Sequence, residues 1–161
     1  MFLIGATHFK SDKLLLDYID SMKVHFPIIR AMEDSDTQIV SFCSASFIPA
    51  AAGLLDDQKA TTSWWLKQLF VKNFPQIELT FNELVVRSGN FWTAGATTSY
   101  LSLCIKLIEH FSGTKLAQQV SRILLVDSNQ LSQLPYMSLQ TILPHDDVII
   151  ARCQHWLQDN L

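Results

Sequence analysis

The apolar positions in the first third of the chain form short runs that alternate with stretches of helical spacing. Residues 1–6 are apolar up to a glycine, which predicts a buried strand. A serine at a capping position and apolar residues three and four apart predict a helix over 11–25 that ends before Pro27. A second buried strand over 37–43 runs without a linker into a helix of small apolar residues over 44–55.

The middle of the chain continues the alternation with shorter strands. A helix is predicted over 63–73, and Ser88-Gly89-Asn90 separates two β-rich runs and predicts a hairpin. Two helices then follow, separated by Gly113 as a C-cap. The remaining elements predicted in this part are strands over 59–62 and 78–81, hairpin strands over 84–86 and 91–93, and helices over 96–111 and 114–125.

This order of elements predicts an α/β fold. Strands that alternate with helices favour a three-layer sandwich, with a flavodoxin-like, mostly parallel sheet and helices on its faces. Three or four sheet strands can be recognised, whereas open α/β sheets usually have five or more. We therefore expect the chain to lack the first strands of the complete sheet.

The last quarter of the chain has a different composition. Residues 127–144 are rich in glutamine and serine and contain two prolines, which is typical of a linker. An amphipathic helical pattern begins again over 145–161. The pattern predicts a first domain over 1–126, a linker over 127–144 and the start of a second domain over 145–161.

The composition restricts the class of protein. Hydrophobic residues make up 48% of the chain and charged residues 17%, against about 25% charged in a typical soluble domain, which excludes a disordered chain. A net charge of −3 without a basic block disfavours a surface that coats nucleic acid. Three widely spaced cysteines predict neither a disulfide framework nor a metal pair, and they fit a reducing cytoplasm.

Two runs without acidic or basic side chains, 37–55 and 88–105, are nearly long enough to cross a membrane. Small and polar residues interrupt both runs, and no lysine or arginine cluster flanks them. We therefore expect these runs to be buried on two sides in an α/β core, with no membrane partner.

Cys43 has the clearest pattern for chemistry, because it joins a strand to a small-residue helix without a spacer. In α/β enzymes such a sharp turn is a nucleophile elbow, which presents its side chain at the carboxyl end of the strand. The alternatives are an inert buried thiol and a redox sensor. A catalytic cysteine also needs a base, usually histidine. No histidine adjoins the elbow, although His8 follows the first strand and has a route to a cleft.

Two further strand-to-helix junctions end in small or polar residues, and carboxyl ends of neighbouring strands form the usual cleft of an open α/β sheet. One of the two adjacent tryptophans at the second junction is expected to line a pocket. No phosphate-binding glycine loop is present, and we expect no metal and no cofactor. The predicted ligand-binding residues are Cys43, Ser44, Ala45, Thr62, Ser63, Trp64, Thr93 and Gly95.

Several ordered motifs resemble a known family. They are FCSASFIPAAAGLLD at 42–56, ATTSW at 60–64, FP at 74–75 and GNFWTAG at 89–95. Together they resemble the glutamine-amidotransferase-like (PfpI-like) regulatory domain of AraC-family transcriptional regulators. The family pattern has glycine where Ala45 stands and histidine where Ser63 stands, and PfpI-type hydrolases have histidine where Ser44 stands. Both positions that would supply a base are therefore hydroxyls in this chain.

The resemblance implies a non-enzymatic module that senses a small-molecule effector and dimerises. It also implies that the helix at 145–161 begins a helix-turn-helix domain, through whose missing remainder a homodimer binds DNA in the cytoplasm. The enzyme alternative is a Cys-dependent hydrolase or hydratase of the PfpI-like superfamily that uses Cys43 as its nucleophile. Slow alkylation of Cys43 would count against that alternative.

Overall fold

A four-stranded sheet forms the centre of the computed structural model, which describes residues 1–35, 37–127, 130–137 and 147–160. The strand order is β1-β2-β6-β5, in which β1, β2 and β6 are parallel and β5 is antiparallel to β6. A second, two-stranded parallel sheet pairs β3 with β4. The strands are β1 (Phe2–Ile4), β2 (Ile39–Phe42), β3 (Lys59–Ala60), β4 (Glu78–Leu79), β5 (Val85–Ser88) and β6 (Phe91–Ala94).

The helices follow the predicted order with one addition. The first begins at Asp12, and Ser11 Oγ accepts the Leu14 N–H as its predicted cap. Pro27 does not end the helical region, because a new helix starts one residue earlier and holds proline in its first turn, where no N–H is needed. The helices are α1 (Asp12–Ser21), α2 (Phe26–Asp34), α3 (Phe47–Ala51), α4 (Lys67–Asn73), α5 (Ser99–Ser112), α6 (Thr114–Leu124) and α7 (Val148–Asn160).

Alternate residues of the central strands reach two different cores, which makes the fold a three-layer sandwich. Ile39 packs in the larger cluster with residues of α1 to α4. Its neighbour Val40 points the other way and packs with Trp92, Leu103 and Leu107 in a cluster under α5. The predicted α/β class, with a mostly parallel sheet between helices, is confirmed.

An aromatic group anchors the larger core directly behind the Cys43 turn. The Phe47 side chain is fully buried, and its ring meets those of Phe70 and Phe74 edge to face at 5.0 and 5.7 Å between centroids. These contacts hold α3 against α4. Because α3 follows the Cys43 turn without a gap, the same contacts fix the base of that turn.

Part of the predicted linker packs on the domain. Within 127–144, residues 130–137 are described together with 127, and they lie along the segment that precedes β5. Leu84 N–H donates to Leu131 O at 2.9 Å, and Ser132 forms a bridge with Glu83. A short 3₁₀ turn, Leu134–Tyr136, follows. The other predicted linker residues, 128–129 and 138–144, lie outside the described residues.

The predicted C-terminal helix is present as α7. Asp147 Oδ1 caps it by accepting the Ile149 and Ile150 N–H groups at 2.9 and 3.1 Å. Residues 145, 146 and 161 of the prediction lie outside the described residues. No helix in the described part of the chain is both long and apolar enough to span a bilayer.

Candidate functional site

Cys43 lies at a strained turn between β2 and a 3₁₀ segment, Cys43–Ser46. Its φ is +55°, a left-handed conformation that costs an L-residue other than glycine about 1–2 kcal/mol. Two buried hydrogen bonds hold its backbone. Cys43 N–H donates to Gly95 O at 2.9 Å, and Thr62 Oγ1 donates to Cys43 O at 2.8 Å. Strained backbone held in this way is typical of functional sites.

The hydrogen-bond partner of the Cys43 thiol is a serine hydroxyl. Ser63 Oγ donates to Cys43 Sγ at 3.0 Å and lies 3.4 Å from Gly95 O, and the Ser63 side chain is completely buried. A hydroxyl can orient a thiol, but it remains protonated at neutral pH and does not act as a base for it. Ser63, which stands where the family pattern has histidine, therefore orients the Cys43 thiol and does not serve as its base.

Ser44 connects the turn to the loop after β1. Its Oγ donates to Thr7 O at 2.8 Å and accepts the Thr7 N–H at 3.3 Å. This reciprocal pair holds the loop beside Cys43. The hydroxyl at this position thus shapes the site.

A cavity of about 300 Å³ opens between that loop, the Cys43 turn and the start of the helical segment at Trp64. Apolar and polar side chains both line it. The lining residues are Ala6, Thr7, His8, Phe9, Lys10, Ser11, Asp12, Leu15, Phe42, Cys43, Ser44, Trp65, Leu66 and Thr97. Its size is at the lower end of the range for small-molecule sites.

Comparison with proteins of known function gives two related matches, and no family model matches the chain. The chain is 31% identical over 93 residues to isonitrile hydratase from Pseudomonas putida, a match that covers 57% of this chain and 39% of that protein. It is 30% identical over 93 residues to the HTH-type transcriptional regulator CdhR from Pseudomonas aeruginosa, covering 58% of this chain and 27% of the regulator. The match therefore spans less than half the length of either relative.

Solved structures show the same architecture. A protein from Vibrio parahaemolyticus assigned as a transcriptional regulator has a TM-score of 0.65 and 25% identity, over 76% of this chain and 62% of its own. DJ-1beta from Drosophila melanogaster has a TM-score of 0.60 and 21% identity, over 68% of this chain and 57% of its own. This chain has the DJ-1/PfpI-like fold. The resemblance to PfpI-like regulatory domains is confirmed.

The fold brings the predicted site residues together around Cys43, but most of them do not line the cavity. Cys43 and Ser44 line it. Thr62, Ser63 and Gly95 form hydrogen bonds with Cys43 from behind. Ala45 is buried in the core, and Thr93 Oγ1 accepts the Thr61 N–H. Trp64 does not line the cavity as predicted. Its ring meets that of Trp65 edge to face, and Trp65 lines the cavity instead.

The loop after β1 supplies most of the lining that the motifs did not indicate. Of its residues, His8 was predicted to have a route to a cleft, and it lies in the wall that also contains Cys43. The other histidines of the described residues, His25, His110 and His155, do not line this cavity. No group of three potential metal ligands occurs in the described part of the chain.

Among the other thiols, Cys153 is exposed on α7 and Cys104 lies on α5. Desolvation raises the pKa of the Cys104 thiol, which keeps more of it protonated at neutral pH. Neither thiol lines the Cys43 cavity.

Replacing Thr62 with valine tests the support of the Cys43 turn. The two side chains have similar shapes, but valine leaves the buried Cys43 carbonyl without its donor. We expect Thr62→Val to lower the free energy of unfolding by about 1–3 kcal/mol in urea denaturation. Thr98→Val, at an exposed position without a side-chain cap bond, is the matched control and should stay within about 0.5 kcal/mol. Equal effects of the two substitutions would contradict the assigned role of Thr62.

Proposed function

We propose that the chain is the regulatory, effector-sensing part of a transcription regulator, and that its effector binds in the cavity beside Cys43. The observation that carries this proposal is the pairing of the Cys43 thiol with the Ser63 hydroxyl at the cavity wall. The thiol in this strained turn is paired with a hydroxyl and not with the base that activates a catalytic cysteine, which favours binding over catalysis. The similarity to CdhR and to the Vibrio regulator supports a regulatory role.

The lining of the cavity indicates the chemistry of the effector. Phe9, Leu15 and Trp65 offer apolar surface, and His8 and Lys10 offer donors. Small-molecule sites commonly combine an apolar wall with a few polar groups that fix orientation. A small molecule with a short apolar part and one acceptor group fits this arrangement.

The proposal includes the larger assembly. Residues 1–126 form the sensing domain, 127–144 connect it to a helix-turn-helix domain that begins at 145–161, and the whole regulator acts on DNA as a homodimer in the cytoplasm. An effector changes DNA binding only if it binds one arrangement of the regulator better than another.

The alternative function is that of a Cys-dependent hydratase, which the similarity to isonitrile hydratase favours. In that case Cys43 attacks the substrate as a nucleophile, and His8, in the same cavity wall, transfers the thiol proton to the substrate. Short alkyl isonitriles distinguish the two functions, because the sensor binds them or other small molecules unchanged whereas the hydratase converts them.

The decisive experiment measures thermal unfolding of the chain with short alkyl isonitriles, carboxylates, amides and amines, and follows isonitrile consumption in parallel. Sensing predicts that at least one compound raises Tm by about 5 °C or more when it is present at 100 times its Kd. No isonitrile should be consumed. Isonitrile turnover that is lost in Cys43→Ala would establish the hydratase instead.

Two neighbouring threonines provide the matched control. Thr97 lines the cavity and Thr98 does not, although both are exposed. Thr97→Phe should fill the entrance and abolish the Tm shift, whereas Thr98→Phe should retain it. If no compound raises Tm, or if both variants retain the shift, the Cys43 cavity is not the effector site.

A further inference from the structure

Gln133 is the most deeply buried of the described residues in the segment predicted as a linker. Its side chain is 1% exposed. Nε2 donates toward Thr61 Oγ1, Thr62 O, Phe81 O and Glu83 O at 3.2, 3.0, 2.9 and 3.1 Å. Oε1 accepts the Ala96 N–H at 3.2 Å. Only a side-chain amide presents two N–H donors and an acceptor in this geometry, so the pocket around it is specific for a carboxamide.

The pocket that holds this amide exists because residue 95 is glycine. A Cβ at Gly95 would lie 2.3 Å from Gln133 Cδ and 2.4 Å from its Oε1, far inside van der Waals contact. Gly95 also accepts the Cys43 N–H through its carbonyl. One residue therefore supports the Cys43 turn on one side and the Gln133 amide on the other.

Thr62 makes a second connection between the two sites. Its carbonyl accepts from Gln133 Nε2, and its hydroxyl donates to Cys43 O at 2.8 Å. The adjacent residue, Ser63, donates to Cys43 Sγ. A group added to the sulfur changes the atom to which the Ser63 hydroxyl donates, and Ser63 is joined directly to the backbone of Thr62. Contiguous buried hydrogen bonds of this kind can couple two sites.

The rest of the segment has little other attachment. Its apolar side chains are largely exposed, with Leu131 at 65%, Leu134 at 52% and Tyr136 at 65%. The hydrophobic effect therefore contributes little to holding residues 130–137 on the domain. Its attachment depends on the Gln133 amide, a hydrogen bond from Ser132 Oγ to Asn82 O at 2.9 Å, and a few backbone hydrogen bonds to residues 82–84.

We propose that Gln133 is a latch, through which occupancy of the Cys43 site controls whether residues 130–137 stay docked on the domain. When the Gln133 amide is in its pocket, residues 130–137 are held on the domain. When the amide leaves the pocket, residues 130–137 are released. This inference rests on the proposed sensing function, because it supplies the route by which an effector beside Cys43 alters the position of a downstream DNA-binding domain.

The test replaces the unidentified effector with a covalent probe. The chain carries Cys104→Ser and Cys153→Ser, so that iodoacetamide alkylates Cys43 alone. Amide hydrogen exchange is then measured at Leu84, whose N–H donates to Leu131 O and so reports latch opening. Alkylation should accelerate Leu84 exchange by about 10-fold. Val40, fully buried at the centre of the sheet, should retain its protection.

A Gln133 variant shows whether the effect passes through the latch. Gln133→Glu has the same shape but places a carboxylate against carbonyl oxygens, so Leu84 should exchange rapidly before alkylation and gain nothing further from it. Gln119→Glu, exposed on α6 and outside the cavity that residues 130–132 line, is the matched control and should behave like the parent chain.

Three outcomes would overturn the latch. They are unchanged Leu84 exchange after alkylation, an equal acceleration in Gln133→Glu, and a parallel loss of Val40 protection, which would show unfolding of the whole domain. Because the probe is covalent, these outcomes do not depend on whether an effector raises Tm. Failure of the latch and failure of the sensing proposal are therefore separate results.

Discussion

Gly95→Ala is expected to expel the Gln133 side chain from its pocket and to lower the free energy of unfolding by about 2–4 kcal/mol. The backbone of Gly95 is outside the left-handed region, so alanine causes no conformational strain there. Its methyl group would instead occupy the place of the Gln133 amide. The loss arises because the amide no longer bonds Thr62 O, Phe81 O and the Ala96 N–H, whereas Thr61 Oγ1 and Glu83 O keep the hydrogen bond between them. Urea denaturation measures it.

A double-mutant cycle isolates this steric cause. Gln133→Ala alone should cost about as much as Gly95→Ala, because both remove the same hydrogen bonds. The double variant should cost no more than either single variant, which corresponds to a coupling as large as one single-variant loss. Additive losses would show that alanine at position 95 disturbs the Cys43 turn or another contact, and not the amide pocket.

Phe47→Ala is expected to have the largest effect on stability, a loss of about 3–5 kcal/mol. The Phe47 ring is fully buried and meets both Phe70, on α4, and Phe74, directly after it, so truncation removes the contacts of three packed rings and leaves a cavity. Equilibrium denaturation in urea, followed by far-UV circular dichroism, gives the change.

Phe111→Ala provides the control for the same chemical change at the surface. Phe111 is 58% exposed near the end of α5, so its truncation should cost less than about 1 kcal/mol. If Phe47→Ala costs no more than Phe111→Ala, the aromatic group behind the Cys43 turn does not anchor the core.

The order of elements could be predicted because two periodicities dominate the chain. The central strands β2 and β6 are buried on both faces, so they form uncharged runs that are apolar apart from Ser41 and Thr93. The hairpin around Gly89 follows from turn residues alone. The helix α2 was missed because Pro27 was interpreted as a stop, although proline is equally suited to the first turn of a new helix.

Part of the site could also be predicted, because that part depends on a local sequence pattern. The Cys43 turn follows from a strand that meets a helix without a spacer, which is a local pattern. The loop after β1 carries no such pattern, and its position beside Cys43 depends on the Ser44 contact to Thr7, 37 residues earlier. The linker expectation for residues 130–137 rested on composition. Burial of Gln133 depends instead on acceptors from distant strands.

The position of Gln133 in the chain also bears on how the protein is synthesised. Its amide meets the Ala96 N–H, the last group of the pocket to be synthesised, which precedes it by 37 residues. At ribosomal rates of about 5–20 residues per second, the residues of the pocket are present about 2–7 s before Gln133 is added. The nascent domain therefore passes through a period in which the carboxamide pocket is unfilled, and the closing of that pocket by Gln133 is a late step of its folding.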